Sequence, residues 1–159
     1  MTVTSVGANL MTLILAAMLV IVPVISVCGA DQAIYVGSTV CGECHSDQYD
    51  TFMEHSKKAK SFTSIERMVG KLTDSELKEC YACHTTGYGK PGGFRSMEET
   101  PHLKDASCEV CHGPGSVHVE SQDPADLIET ISIEDCKVCH NSERVAAFNF
   151  EPLLHGGAH

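Results

Sequence analysis

Cys41-Gly42-Glu43-Cys44-His45, Cys80-Tyr81-Ala82-Cys83-His84, Cys108-Glu109-Val110-Cys111-His112 and Cys136-Lys137-Val138-Cys139-His140 repeat one five-residue frame and use eight of the nine cysteines in the 159-residue chain. Two thiols three positions apart lie on one face of a helical turn, where they can meet the two vinyl groups of a haem as thioethers. The histidine that follows can bind the iron from the same side. Other chemistries explain less. A disulfide framework would also use an even number of cysteines, but gives no reason for histidine to follow every second one. A zinc ribbon pairs two such units but needs four ligands per metal, which leaves four histidines unexplained. A thiol–disulfide redox site needs one copy at the start of a helix in a βαβ unit, and neither the repetition nor the surrounding composition fits that. The four frames therefore imply four covalently bound haems c, attached through Cys41, Cys44, Cys80, Cys83, Cys108, Cys111, Cys136 and Cys139. Proximal iron ligands are His45, His84, His112 and His140.

Before the first frame the chain changes character. All 11 basic and 21 acidic side chains lie at or after Asp31, and Leu10 to Val27 is uncharged. Eighteen residues of helix reach only about 27 Å, marginal for a membrane span. Cys28-Gly29-Ala30 before Asp31 supplies a small-residue cleavage site, so residues 1–30 read as a secretory signal, although the usual cationic start is missing. A retained anchor and lipid attachment at Cys28 are the alternatives. All three place residues 31–159, the haem-bearing domain, outside the cytoplasm, with any membrane contact confined to the N-terminal segment. The net charge of −10 excludes nucleic acid as a partner, since no basic cluster could neutralise a phosphate backbone. Lys57, Lys58 and Lys60 form the densest basic run and read as the solvated face of a helix.

The second axial ligand separates electron carriers from sites that bind substrate. Beyond the four motif histidines, His55, His102, His118, His155 and His159 remain, with Met53, Met68 and Met97 as competitors. Five histidines are enough for four bis-histidine sites. Ser46 to Ser56 reads as a helix opened by Ser46 or Asp47 and apolar at Tyr49, Phe52 and Met53. Ten residues of helix carry His55 about 15 Å from His45, so it should serve a haem other than the first. His118 follows His112 through Gly113-Pro114-Gly115-Ser116-Val117, too short a turn-forming link to wrap a porphyrin edge, so it too should serve a different haem.

Local structure is otherwise sparse. Thr73-Asp74-Ser75-Glu76 has capping-box form before the second frame, and Ser132-Ile133-Glu134-Asp135 leads into the fourth. Thr85 to Gly93 reads as loop. The first cysteines are 39, 28 and 28 residues apart, which indicates repeated haem-binding segments rather than a regular solenoid. With too little apolar side chain for a large core, the domain should be organised around its haems. The expected fold is mainly α with much irregular loop, built of short helices with little or no sheet around four stacked haems.

Tyr35-Val36-Gly37-Ser38 before the first frame, Tyr49 and His55 after it, the run from Cys108 to His118, and the closing Leu153-Leu154-His155-Gly156-Gly157-Ala158-His159 together resemble the cytochrome c-554 family of tetrahaem cytochromes. They are also similar to the tetrahaem subunits of extracellular cytochrome filaments. The resemblance covers essentially all of residues 31–159. It implies that His118 is the distal ligand of the first haem and His55 that of the third, in accord with the separations above, and that the haems stack in near contact. Some members leave the second haem five-coordinate, which five distal candidates do not force here.

The function expected is electron transfer outside the cytoplasm, between other redox proteins or to extracellular acceptors. It would be carried out by a soluble shuttle or a self-associating, filament-forming subunit. A haem enzyme acting on small nitrogen compounds at an open iron is the rival, although no frame carries lysine in place of histidine. Intact-protein mass spectrometry after acid and organic extraction should show four retained haem masses. Fewer than four would contradict the reading of the frames.

Overall fold

The computed structural model describes residues 32–141. The expected signal segment, Cys28, His155 and His159 lie outside the described residues. Seven short α-helices are described: α1 Ser38–Gly42, α2 Ser46–His55, α3 Phe62–Glu66, α4 Asp74–His84, α5 Glu109–His112, α6 Ser116–Ser121 and α7 Ile133–Lys137. Single 3-10 turns at Lys57–Lys60, Val69–Lys71, Pro101–Leu103 and Pro124–Asp126 join them, and no strand occurs among the described residues.

Where the sequence signals a helix start, local chemistry supplies it. Thr73 and Glu76 form a reciprocal capping box before α4: Thr73 N–H donates to Glu76 Oε2 at 2.8 Å and Glu76 N–H to Thr73 Oγ1 at 3.4 Å. Those bonds from the Thr73 backbone and hydroxyl hold the Glu76 carboxyl below its ordinary range. Ser132 and Asp135 do the same before α7. Helix α2 departs in detail from the expectation. Its cap position is His45, which makes no side-chain capping bond, and Asp47 falls within the first turn, where its charge suits the helix dipole. The chain leaves the first frame with no intervening turn, so the histidine itself takes the cap position.

The Thr85–Gly93 loop folds tightly on itself. Phe94 N–H donates to Thr86 O at 2.8 Å, and a Cβ on Gly93 would lie 1.8 Å from the Gly87 carbonyl oxygen. Gly87, at φ +67°, lies under the Tyr35 ring, which would stand 2.5 Å from any Cβ there. The loop thus delivers Phe94 into a small core with Tyr35, Phe62, Ile65 and Leu103. Tyr81 on α4 meets the Phe94 ring edge-on at 5.2 Å and Tyr88 at 5.3 Å, ordinary geometries for aromatic pairs. Buried Thr86 anchors the adjoining segment: its hydroxyl donates to Asp105 O and accepts Ser107 N–H at 2.9 Å, while its N–H donates to Leu103 O at 2.9 Å.

Leu103 is fully buried at the centre of this core. Leu103→Ala should cost about 2–5 kcal/mol. Denaturant unfolding of the haem-loaded protein should show a lower midpoint, and an unchanged midpoint would contradict the assignment of the core.

Candidate haem centres

Each attachment frame lies in or beside a short helix, and in the second and third frames a backbone carbonyl holds the histidine ring. In the first, Gly42 lets the Tyr49 ring of α2 lie against α1; a Cβ at Gly42 would be 2.8 Å from that ring. His84, at the end of α4, is held by Ser61 from two directions. The Ser61 hydroxyl donates to His84 O at 2.8 Å, and His84 Nδ1 is 3.0 Å from Ser61 O. His112 Nδ1 is 2.9 Å from Ile128 O, and Ile128 N–H returns a bond to His112 O at 3.0 Å. His118 Nδ1, on α6, is 2.9 Å from Asp123 O. A carbonyl oxygen only accepts, so in all three rings Nδ1 carries the proton and Nε2 keeps its lone pair for a metal. Such outer hydrogen bonds are the usual means of aiming a ligating imidazole.

The distal candidate His118 comes to the first frame. Its ring centre lies 6.2 Å from that of His45, with the ring planes within 18° of parallel. A metal–imidazole bond of about 2 Å, with a further ~1.1 Å from nitrogen to ring centre on each side, requires a spacing of about 6.3 Å. The two rings therefore stand as far apart as one iron between them demands. His55 is exposed at the end of α2, within 4.0 Å of the Glu54 carboxylate. His102 is exposed in the Pro101–Leu103 turn, close to Gly37 at the start of α1.

What brings His118 to His45 is Glu109, inside the third frame. This side chain is 3% exposed. Oε1 accepts Val36 N–H at 2.9 Å and Gly115 N–H at 2.8 Å, and Oε2 accepts Gly37 N–H at 2.8 Å. One carboxylate thus ties the segment entering the first frame to the third frame and to the Gly-Pro-Gly link that leads to His118. Ser116 and Ile34 extend the junction: Ile34 N–H donates to Ser116 Oγ at 2.9 Å and Ser116 N–H to Ile34 O at 3.2 Å. A buried carboxylate needs such donors to offset its lost hydration. The sequence reading passes over Glu109 because it occupies a variable position of the frame. The available signal is the pair of glycines after His112, which leave backbone N–H groups accessible to an acceptor.

The thiols of different frames approach one another. The Cys41 thiol donates to Gly37 O at 3.8 Å and the Cys108 thiol to Ser38 Oγ at 3.6 Å. The neighbouring Cys108, burial and the nearby Glu109 charge raise Cys41 well above its ordinary range, while Cys108 is lowered to about 6. Burial and neighbouring Cys83 push Cys139 up to about 12, and burial raises Cys111. None of the eight cysteines is in a disulfide. Cys80, Cys83 and His84 of the second frame, Cys111 of the third, and Cys136, Cys139 and His140 of the fourth line one open cavity of about 340 Å³. Burial, and then the charge of Lys58, lowers the pKa of His140. Lys58 corrects the expectation of a solvated helix face: the run forms a single 3-10 turn, and Lys58 is half-buried with its side chain on the cavity wall. Thiols converging from several frames on a shared cavity, histidines with Nδ1 fixed, and one histidine pair at iron-bridging distance fit covalently held haem.

Comparison with known proteins agrees. The family model described as cytochrome c554 and c-prime matches residues 40–113, which contain the first three frames. A curated relative, cytochrome c-554 of Nitrosomonas europaea, is 30% identical over 97 residues, covering 54% of this chain and 41% of that protein. The chain therefore spans less than half the length of that relative. The solved structure of the reduced state of cytochrome c554 from Nitrosomonas europaea superposes with a TM-score of 0.56 at 23% identity, covering 78% of this chain and 83% of that one. The helical, strand-free backbone of the described residues is the fold of that cytochrome. Over residues 40–113 the chain thus matches the cytochrome c554 and c-prime family, and that likeness implies covalently bound haem c as its cofactor.

Proposed function

We propose that the chain is an exported electron carrier with four bis-histidine haems c, and that its fuller role is as the repeating subunit of an extracellular filament. The observation that supports the reading is the 6.2 Å spacing of His45 and His118: both rings would hold an iron placed between them, leaving no place there for a substrate. Bound haem supplies a reversible one-electron couple, and histidine on both faces keeps its potential low, because imidazole stabilises ferric iron more than a thioether does. The chain's own groups hold the geometry. Ile128 O and Ser61 O aim two proximal rings, Asp123 O aims a distal one, and Glu109 sets the distance between the first frame and His118.

Support for the filament comes from the histidine count. Five distal candidates exceed four irons, and two of them, His155 and His159, sit on a glycine-containing tail that can reach a neighbour at low steric cost. An iron–nitrogen bond from one chain to the next would reinforce a head-to-tail interface that repeats without closing. A soluble shuttle would instead keep all its ligands within one chain and dock basic partners on its acidic surface.

His118→Ala should turn the first haem high-spin or water-ligated, with His45 still bound. Electron paramagnetic resonance showing the change at another haem, or no change, would contradict the pairing. The assembled ferrous protein should bind carbon monoxide at no iron. A carbonyl band from one haem per chain in the assembled state would favour the enzyme acting on small nitrogen compounds, and a band only in dilute monomer would identify a ligand donated by a neighbour.

A further inference from the structure

We propose that the loop from Ser121 to Ile128 positions imidazoles of two different haems at once: His118, on the distal face of the first, and His112, the proximal ligand of the third-frame haem. Gln122 and Asp123 are its positioning residues, and they act on the rings through backbone carbonyls. The proposal rests on the bis-histidine reading above.

The loop begins where α6 is cut short. Gln122 stands in the left-handed region, at φ 60° and ψ 16°, and its N–H donates to His118 O at 2.7 Å. Among the described residues it is the one position other than glycine with positive φ, and a side chain keeps that conformation where its surroundings impose it. Pro124 then disfavours the helical region for Asp123, which is extended at φ −86° and ψ 119°. Reversal at Gln122 followed by extension at Asp123 turns the Asp123 carbonyl back to the ring the chain has just passed, 2.9 Å from His118 Nδ1. Side chains of the loop hold that carbonyl in place. Asp123 N–H donates to Ser121 Oγ at 3.0 Å, Ala125 N–H donates to Asp123 Oδ1 at 3.0 Å, and the Ser121 hydroxyl donates to the Asp126 carboxylate. Asp126 N–H, at 3.2 Å, shares the Asp123 carbonyl with His118, as two lone pairs allow.

The same loop ends on the second ring. Leu127 N–H closes the Pro124–Asp126 turn on Pro124 O at 3.1 Å and passes the chain to Ile128. There the Ile128 carbonyl lies 2.9 Å from His112 Nδ1, and Ile128 N–H donates to His112 O at 3.0 Å. A carbonyl on the Nδ1 proton fixes the ring plane about the iron–nitrogen axis and raises the basicity of Nε2. Asp123 O and Ile128 O are held by one run of bonds, so loosening the loop weakens both contacts. The ferric state of both haems then loses stabilisation. His84 of the second frame takes its brace from Ser61 instead, which makes the second-frame haem an internal control.

The test is paramagnetic NMR of the ferric, haem-loaded protein, following the Nδ1 protons of the axial histidines, each assigned to its frame. Asp123→Ala keeps the carbonyl and removes the cap on Ala125; the Nδ1 protons of His118 and His112 should then exchange with solvent about tenfold faster, the worth of one hydrogen bond, while that of His84 is unchanged. Gln122→Val opposes the left-handed conformation and should act in the same way. It changes no charge, so in this variant the first and third-frame haems should also titrate at higher potential than in the wild type. Asp123→Asn, which loses the charge but keeps a capping oxygen, and Gln122→Asn, which tolerates the left-handed region, should keep wild-type exchange. Both positions are exposed and reach the loop independently, so either series decides if the other does not fold. Faster exchange at His118 alone or His112 alone, at all three rings alike, or at none overturns the proposal. His118→Ala separates the two failures. A first haem that stays as in the wild type in that variant defeats the bis-histidine reading, whereas a first haem turned high-spin, with loop variants that move one ring alone, defeats the shared loop only.

Discussion

A single buried carboxylate organises this protein. Glu109 accepts three backbone N–H groups from two segments of the chain far from each other in sequence, Val36–Gly37 and Gly115. Hydrogen bonds to an ionised acceptor are stronger than neutral ones, and leaving such an acceptor unmet inside a protein costs several kcal/mol by general estimates. The carboxylate and its donors are therefore committed to one arrangement. It fixes the entry to the first frame and the exit from the third, and the 6.2 Å spacing of His45 and His118 follows from that.

The rest of the polypeptide core is small. Five buried side chains, with α4 packed against them, form its centre, and short domains bury too small a fraction of their surface to be held by apolar packing alone. The four proposed haems, each held at two cysteines and one or two histidines, would supply the apolar bulk and the cross-links that the sequence lacks. The irregular backbone then has a reason. Its N–H and C=O groups go to caps, to Thr86 and Ser61, and to histidine Nδ1 atoms rather than to sheet ladders, and each of those bonds aims or anchors a haem-binding segment.

Legibility in the sequence followed the range of the interactions. The attachment frames are local covalent chemistry confined to five residues, and the capping boxes of α4 and α7 span four, so both could be read directly. The helical, sheet-poor fold followed from them. Glu109 could not be read, because its role depends on partners 72 and 73 residues away that only the folded chain brings near. Lys58 misled for a related reason. Three lysines in four positions look like a solvated face, and what turns one inward is the Ser56 and Ser61 bonding of a single 3-10 turn. For His118 the short Gly-Pro-Gly link argued only against the haem of its own frame, and the family resemblance supplied the pairing with the first. His155 and His159, by contrast, lie in a tail outside the described residues.

The central claim is that the Glu109 junction presents His45 and His118 to opposite faces of one iron. Its most direct measurement is a structure of the haem-loaded protein with the irons located by anomalous scattering. The account predicts an iron between the Nε2 atoms of His45 and His118, about 2 Å from each, with Glu109 still bound to Val36, Gly37 and Gly115. An iron on His45 whose opposite face carries water or another side chain, with His118 turned away, would contradict it.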